Sequence, residues 1–90
     1  MPEFVADGGK FTLENGVLEF WAGGASWGRF RIEDIAPLYL NEMGGRVRVG
    51  VSPGPTSVVT YGSKGIQADF SDRTQLDAFL AAIQALRGSG

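Results

Sequence analysis

The chain has 90 residues, of which 43% are hydrophobic and 20% are charged, and its formal net charge at pH 7 is −2. This length suits one hydrophobic core, and the small negative charge argues against a general nucleic-acid binder with a basic face. The sequence contains no histidine and no cysteine, which excludes the most common general base, a thiolate nucleophile and cysteine-ligated metals.

The sequence predicts one domain over residues 1–87, followed by a flexible tail at residues 88–90. Its apolar runs are shorter than the roughly 18 residues of a membrane-spanning helix. The first ten residues, MPEFVADGGK, have no basic start and no apolar core of a signal peptide. A cysteine-free chain is typical of a reducing compartment. We therefore expect a cytoplasmic protein without a transmembrane segment.

The segment FTLENGVLEF carries the strongest hairpin signal in the sequence. Asn15 and Gly16 stand between two apolar runs, and this dipeptide favours a type I′ turn, in which both central residues have positive φ. We therefore predict paired strands at residues 10–13 and 17–22.

Five further segments have the length and composition of strands and are bounded by turn residues. In RVRVGV the valines alternate with Arg46, Arg48 and a glycine, which predicts one buried and one exposed face. Pro37 predicts a break at Ala36, and the NEMGG segment is predicted to be a turn. The five predicted strands are residues 27–32, 37–40, 46–51, 56–61 and 66–70.

The segment FWAGGASWGRFR predicts a second hairpin, which we centre on Gly24. In this register Trp21 faces Trp27, and Glu19 faces Arg29 as an ion pair of opposite charge. A shift by one residue would place the arginines opposite core residues, so this register is favoured. The core face of the hairpin is predicted to consist of Leu18, Phe20, Phe30 and Ile32.

The last segment, SDRTQLDAFLAAIQALRG, changes from a two-residue to a helical period. Its large apolar residues predict one amphipathic helix with a single apolar stripe. Asp72 is expected to cap the N-terminus, with Gln75 completing a pair like a capping box. The predicted stripe consists of Leu76, Phe79, Leu80, Ile83 and Leu86.

This order of elements resembles the pleckstrin-homology-like (PH-like) fold, in particular its small bacterial versions. The resemblance is carried by the hairpin FTLENGVLEF, the strand ending RFRIEDI and the helical segment QLDAFLAAIQAL, and it covers residues 10–87. It implies an α+β domain, a small antiparallel β-barrel or sandwich of about seven strands with one C-terminal amphipathic helix. Members of this family bind lipid headgroups, peptides or other protein domains, so the resemblance implies a binding module.

The reactive residues argue against an enzyme. Lys64 lies in a turn-like segment, GSKG, where an activated lysine is not expected. Glu33 and Asp34 point to opposite faces of an extended strand and cannot form a facing pair. No stretch matches the phosphate-binding P-loop, and no carboxylates have the spacing of metal ligands. We therefore expect a non-catalytic protein without a cofactor or metal.

Two groups of residues are candidates for binding. Trp21 and Trp27 lie with Arg29 and Arg31 in one hairpin, and tryptophan and arginine are favoured in the centres of protein interfaces. The tryptophans could instead stabilise their own hairpin by stacking, or they could clamp a small molecule. On the first interpretation the partner is another protein or a second copy of the chain.

The second group is Arg46 and Arg48, which project from one face of a strand. Two guanidinium groups on one face can bind an anionic headgroup or an acidic peptide. They can equally be the polar surface of an exposed strand. Binding to lipid headgroups at the membrane surface is therefore the alternative function, less favoured than a protein partner.

Overall fold

The computed structural model describes residues 2–54 and 65–88. Within these ranges the chain forms antiparallel strands in two sheets, ordered β1-β2-β3-β4 and β5-β6-β7, with one helix at the C-terminal end. The predicted combination of antiparallel sheets with a C-terminal helix is confirmed. The elements are β1 (Glu3–Ala6), β2 (Gly9–Glu14), β3 (Val17–Ala22), β4 (Ala25–Arg31), a 3₁₀ turn (Ile32–Asp34), β5 (Tyr39–Met43), β6 (Arg46–Val51), β7 (Ile66–Phe70) and α1 (Arg73–Gly88).

The first predicted hairpin is confirmed. β2 and β3 pair antiparallel, and the turn between them has φ values of 53° at Asn15 and 73° at Gly16. Both values lie in the left-handed region that a type I′ turn requires. A glycine or asparagine adopts this region with little strain, which explains the sequence signal.

Two strand assignments differ from the sequence prediction, and one lies outside the described residues. β1 was not predicted, and it pairs with β2 from Glu3 to Ala6. The strand predicted at residues 37–40 instead runs from Tyr39 to Met43, as β5. The turn predicted over residues 41–45 therefore consists only of Gly44 and Gly45, which have φ values of 49° and 87°. The strand predicted at residues 56–61 lies outside the described residues.

A cluster of phenylalanine rings joins the two sheets to the helix. Phe79 of α1 lies with its ring centroid 5.6 Å from that of Phe4, 4.7 Å from that of Phe11 and 5.5 Å from that of Phe70. These rings come from β1, β2 and β7, so a single helical side chain contacts both sheets. Phe11, Phe70 and Phe79 are fully buried, and the aromatic contacts add to the stabilisation from apolar burial.

The N-terminus of α1 is capped as predicted, but the partner of Gln75 differs. The Asp72 carboxylate accepts hydrogen bonds from the backbone N–H of Thr74 at 2.9 Å and of Gln75 at 3.4 Å. The Gln75 side chain does not complete a capping box, because its Oε1 accepts a hydrogen bond from the backbone N–H of Val5 at 2.8 Å. Gln75 therefore ties the helix to β1.

The apolar stripe of α1 is buried over its first three turns. Leu76, Phe79 and Ile83 are buried, and Leu80 packs partly against the core. Leu86, which was predicted to continue the stripe, is 42% exposed. Helix α1 is too short and too polar to cross a membrane, and it is the one α-helix of the described residues.

The two sheets meet at a bridge between Asp7 and Asp69. The backbone N–H of Asp7 donates to the carbonyl oxygen of Asp69 at 2.7 Å. The Asp7 carboxylate accepts a hydrogen bond of 2.6 Å from the Ser71 hydroxyl. The end of β1 is thereby joined to the end of β7, and α1 begins directly after this junction.

Candidate functional site

The hairpin of β3 and β4 contains a bulge that the sequence analysis did not predict. Its turn consists of Gly23 and Gly24, with φ values of 60° and 79°, and Ala22 pairs with Ala25. A two-residue turn of this type matches the twist of paired strands better than a longer loop centred on Gly24. The register then shifts between Phe20 and Trp21, which returns the core residues of β4 to the buried face.

The predicted pairing of Trp21 with Trp27 is wrong, because of this bulge. Trp21 pairs with Ser26, and Trp27 is the extra residue of β4. Among the ring contacts of the described residues, none joins the two indoles. The remaining predicted pairs of this hairpin, from Val17–Arg31 to Phe20–Gly28, are confirmed.

Trp21 lies across the outer face of the first sheet. Its indole N–H donates to the hydroxyl of Thr12 on β2 at 3.0 Å, and Thr12 is buried although it points away from the core. The indole thus covers one side chain of the neighbouring strand. A buried hydroxyl with a hydrogen-bond partner costs little, so this contact stabilises the pairing of β2 with β3.

Trp27 is oriented by one hydrogen bond and remains 68% exposed. Its indole N–H donates to the carbonyl oxygen of Ala22 at 2.9 Å, across the hairpin turn. The hydrogen bond orients the ring, while most of its apolar surface faces solvent. A large side chain with little remaining conformational freedom loses little entropy when a partner covers it.

Charged side chains surround the tryptophans on the outer face of β3 and β4. Arg29 lies 3.8 Å from Glu19, as the predicted cross-strand pair requires, and Ser26 donates to Glu19 at 2.6 Å. The Glu19 side chain is only 17% exposed. Arg31 lies 3.4 Å from Glu33, and both side chains are largely exposed.

A groove of about 650 Å³ follows β3 along this outer face. The side chains of Val17, Glu19 and Trp21 lie along its length, and Lys10 and Arg29 stand on either side. The groove extends from the β2–β3 turn to the β3–β4 turn, about 20 Å for six extended residues. Its volume falls in the range of known ligand sites, but its open, mixed surface is also typical of a face that another protein covers.

Arg46 and Arg48 are both directed at one carboxylate of the adjacent strand. Arg48 Nε donates to Asp69 Oδ1 at 2.9 Å, and Arg46 Nε lies 3.7 Å from Asp69 Oδ2. The hydrogen bond from Arg48 lowers the pKa of Asp69 below its usual value and raises the pKa of Arg48. The negative charge of Asp69 offsets part of the positive charge of Arg46 and Arg48 that would attract an anion.

The contribution of Asp69 to the free energy of unfolding is expected to depend on pH. The folded-state pKa of Asp69 lies below its unfolded value, so the ionised carboxylate stabilises the fold above about pH 4, and this contribution disappears as the pH falls through the folded-state pKa. In urea unfolding from about pH 6 down to about pH 2, Asp69→Asn should be less stable than the wild type near neutrality, and the difference should shrink in acid. A difference that is independent of pH would contradict this role.

The polar side chains that bond to Trp21 and Glu19 on the outer face of the first sheet were not predicted from the sequence. Thr12 and Ser26 carry no motif, and their partners depend on the register between strands.

The described residues include no group of three or more acidic side chains arranged to hold a metal ion. Comparison with protein-family models, with curated proteins and with solved structures finds no match to this chain.

Proposed function

We propose that this chain is a non-catalytic protein-binding or assembly module, and that its contact face is the outer surface of β3 and β4. The observation that carries the proposal is the exposed but oriented indole of Trp27. Its fractional exposure is 68%, and its N–H is already bonded to Ala22. What remains is an apolar surface for a partner to cover, and buried tryptophans contribute more than most residues to interfaces.

The surroundings of Trp27 fit this role. Arg29 and Arg31 lie on the same strand with about half of their side-chain surface exposed. Guanidinium groups bind carboxylates and carbonyl groups of a partner and tolerate partial burial well. Trp21 and Arg29 line the groove on the same face, so aromatic and charged side chains accompany the exposed indole, as in many protein interfaces.

We also propose that the fold is PH-like. Four- and three-stranded antiparallel sheets followed by one C-terminal helix support this assignment, as does the hairpin turn at Asn15 and Gly16. The fold alone does not specify a ligand, because unrelated functions share it. The proposal for protein binding therefore depends on the Trp27 surface and not on the fold.

The alternative, binding of anionic headgroups at Arg46 and Arg48, has weaker support. Asp69 lies within 4 Å of both guanidinium groups and competes with any anion. We expect no co-sedimentation of the chain with phosphatidylcholine–phosphatidylserine vesicles at low salt. Binding that is lost in the Arg46→Ala/Arg48→Ala variant would favour the headgroup alternative over protein binding.

Site-specific crosslinking tests the proposed contact face. A photo-crosslinking residue replaces Ala25, an exposed residue at the start of β4, in the full chain expressed in its own host. The matched control places the same residue at Asp77, on the exposed surface of α1. We expect one defined adduct, identified by mass spectrometry, from position 25 and none of that mass from position 77.

Trp27→Ala is the decisive variant in this experiment. The ring is largely exposed, so the fold should persist, with a far-ultraviolet circular dichroism spectrum like that of the wild type. The yield of the adduct should fall about tenfold or more, as for a central interface residue. A well-folded Trp27→Ala chain with an unchanged adduct, or equal adducts from both positions, is incompatible with the proposed contact face.

A further inference from the structure

The outer face of the first sheet carries its charges and apolar groups in ordered rows. Strand pairing places Glu3, Thr12, Glu19 and Arg29 in one row across the four strands. The next row consists of Val5, Lys10, Trp21 and Ser26, with the bulged Trp27 beside Ser26. The first row therefore has an acid on β1 and a base on β4, and the second has an exposed apolar side chain at each end.

From this arrangement we propose that the partner of the Trp27 surface is a second copy of the chain, stacked face to face about a two-fold axis parallel to the strands. The proposal rests on the protein-binding function proposed above and names its partner. A rotation about such an axis reverses the order of the strands but preserves position along them. Each row then lies on the same row of the other copy, with β4 over β1.

The charges favour this axis over the other one in the plane of the sheet. With the axis parallel to the strands, Arg29 of each copy lies over Glu3 of the other, which gives two ion pairs of opposite charge. Within each copy Lys10 Nζ lies 3.2 Å from Glu3 Oε1, and both side chains are 44% exposed, so the carboxylate stays accessible to Arg29 of the other copy. With the axis perpendicular to the strands and passing through the row of Glu3 and Arg29, β4 lies over β4, and Glu3, Glu19 and Arg29 each face the same residue of the other copy. Like charges that face each other at an interface weaken binding strongly, so the perpendicular arrangement is disfavoured.

The second row is complementary to itself in the same arrangement. The apolar Val5, which is 57% exposed, lies opposite the Trp27 region of the other copy. Lys10 lies over Trp21, whose indole N–H is already bonded to Thr12 and whose ring face meets the ammonium group in a cation–π contact. A two-fold interface requires a self-complementary patch, because each patch contacts the same patch on the other copy.

The size of the face predicts a weak dimer. Four strands spaced by about 4.8 Å and six residues of about 3.3 Å give about 380 Å² on each copy. The dimer would bury about 800 Å² in total, below the roughly 1,200 Å² at which stable specific complexes begin and within the range of weak, transient contacts. We therefore expect a concentration-dependent dimer and not a permanent one.

Charge reversal tests both the partner and the axis. Sedimentation velocity of the purified chain from about 10 μM to about 1 mM should show dimer formation. Arg29→Glu and Glu3→Arg should each raise the dissociation constant about tenfold or more. A mixture of the two variants should recover dimers. In the mixed dimer the two substituted positions face each other with opposite charges, and the second contact is the original pair of Glu3 with Arg29.

The control variants are Glu42→Arg and Arg73→Glu. These residues form an exposed ion pair of 3.1 Å between β5 and α1, so their reversal disturbs an equivalent contact away from the face. Both should dimerise like the wild type. A chain that stays monomeric at about 1 mM, a dimer strengthened by Arg29→Glu, or a mixture that does not recover dimers would overturn the proposal.

The two proposals fail in different ways. A monomeric chain whose position 25 crosslinks to a different protein retains the binding function and loses the second copy as partner. A chain whose position 25 gives no specific adduct and which stays monomeric loses both. Dimers that persist in Trp27→Ala and in both charge variants would place the interface elsewhere on the molecule.

Discussion

Replacing Phe79 with alanine is expected to lower the free energy of unfolding by about 3–5 kcal/mol. The ring is fully buried and contacts rings from both sheets. Its removal takes away apolar burial and leaves a cavity where β1, β2 and β7 meet the helix. Domains of this size are stabilised by about 5–15 kcal/mol in total, so the loss is a large fraction of the stability.

Urea unfolding followed by tryptophan fluorescence measures this effect. The matched control is Leu86→Ala, which removes an apolar side chain from the same helix where it is 42% exposed, and which should cost far less. If Phe79→Ala does not fold, Phe79→Leu keeps most of the volume and should still show an intermediate loss. Equal stability of the Phe79→Leu and Leu86→Ala chains would contradict the role assigned to this ring.

Local signals predicted most of the elements of the fold. Positive φ at Asn15 and Gly16 is a property that two residues reveal by themselves. The helix cap at Asp72 and the buried stripe from Leu76 to Ile83 likewise depend on spacing within one segment. Predictions of this kind need no knowledge of what lies beside the segment.

The features that were missed or given the wrong bounds depend on contacts between segments. β1 is four residues long, too short for a clear period, and forms because β2 lies beside it. β5 has no fully buried residue, so burial leaves no pattern in its sequence. The partner of Gln75 is the backbone of Val5, a contact across 70 positions that no local rule predicts.

The strand positions of the candidate residues were predicted, but the geometry of their hairpin was not. Trp21, Trp27, Arg29 and Arg31 do lie on neighbouring strands, and Glu19 does pair with Arg29. The turn at Gly23 and Gly24 follows the same two-residue rule as the first hairpin. A two-residue turn without a bulge would place Phe20 opposite Trp27, whereas the core pairing places Phe20 opposite Gly28. The bulge at Trp27 resolves this conflict. The exposed indole is a consequence of this conflict.

Gly9→Ala is expected to destabilise the chain by about 3 kcal/mol, at the upper end for insertion of a methyl group into a packed site. A Cβ at this position would lie 2.5 Å from the carbonyl oxygen of Trp21 and 2.6 Å from Cζ of Phe20. The Phe20 ring could turn aside, but the carbonyl belongs to the paired strand. Strands β2 and β3 would therefore have to separate beside Trp21.

Three companion variants distinguish a lack of space from an unfavourable backbone conformation. Gly8 has a φ of 77° and open space around it, so Gly8→Asn, which tolerates this conformation, should cost less than about 1 kcal/mol. Shortening Phe20 in Gly9→Ala/Phe20→Leu relieves the ring contact and leaves the carbonyl contact, so the stability of this chain should stay below that of Phe20→Leu alone. Chemical denaturation of the four chains gives the comparison. Equal stability of Gly9→Ala/Phe20→Leu and Phe20→Leu would show that the ring, and not the strand backbone, requires glycine at this position.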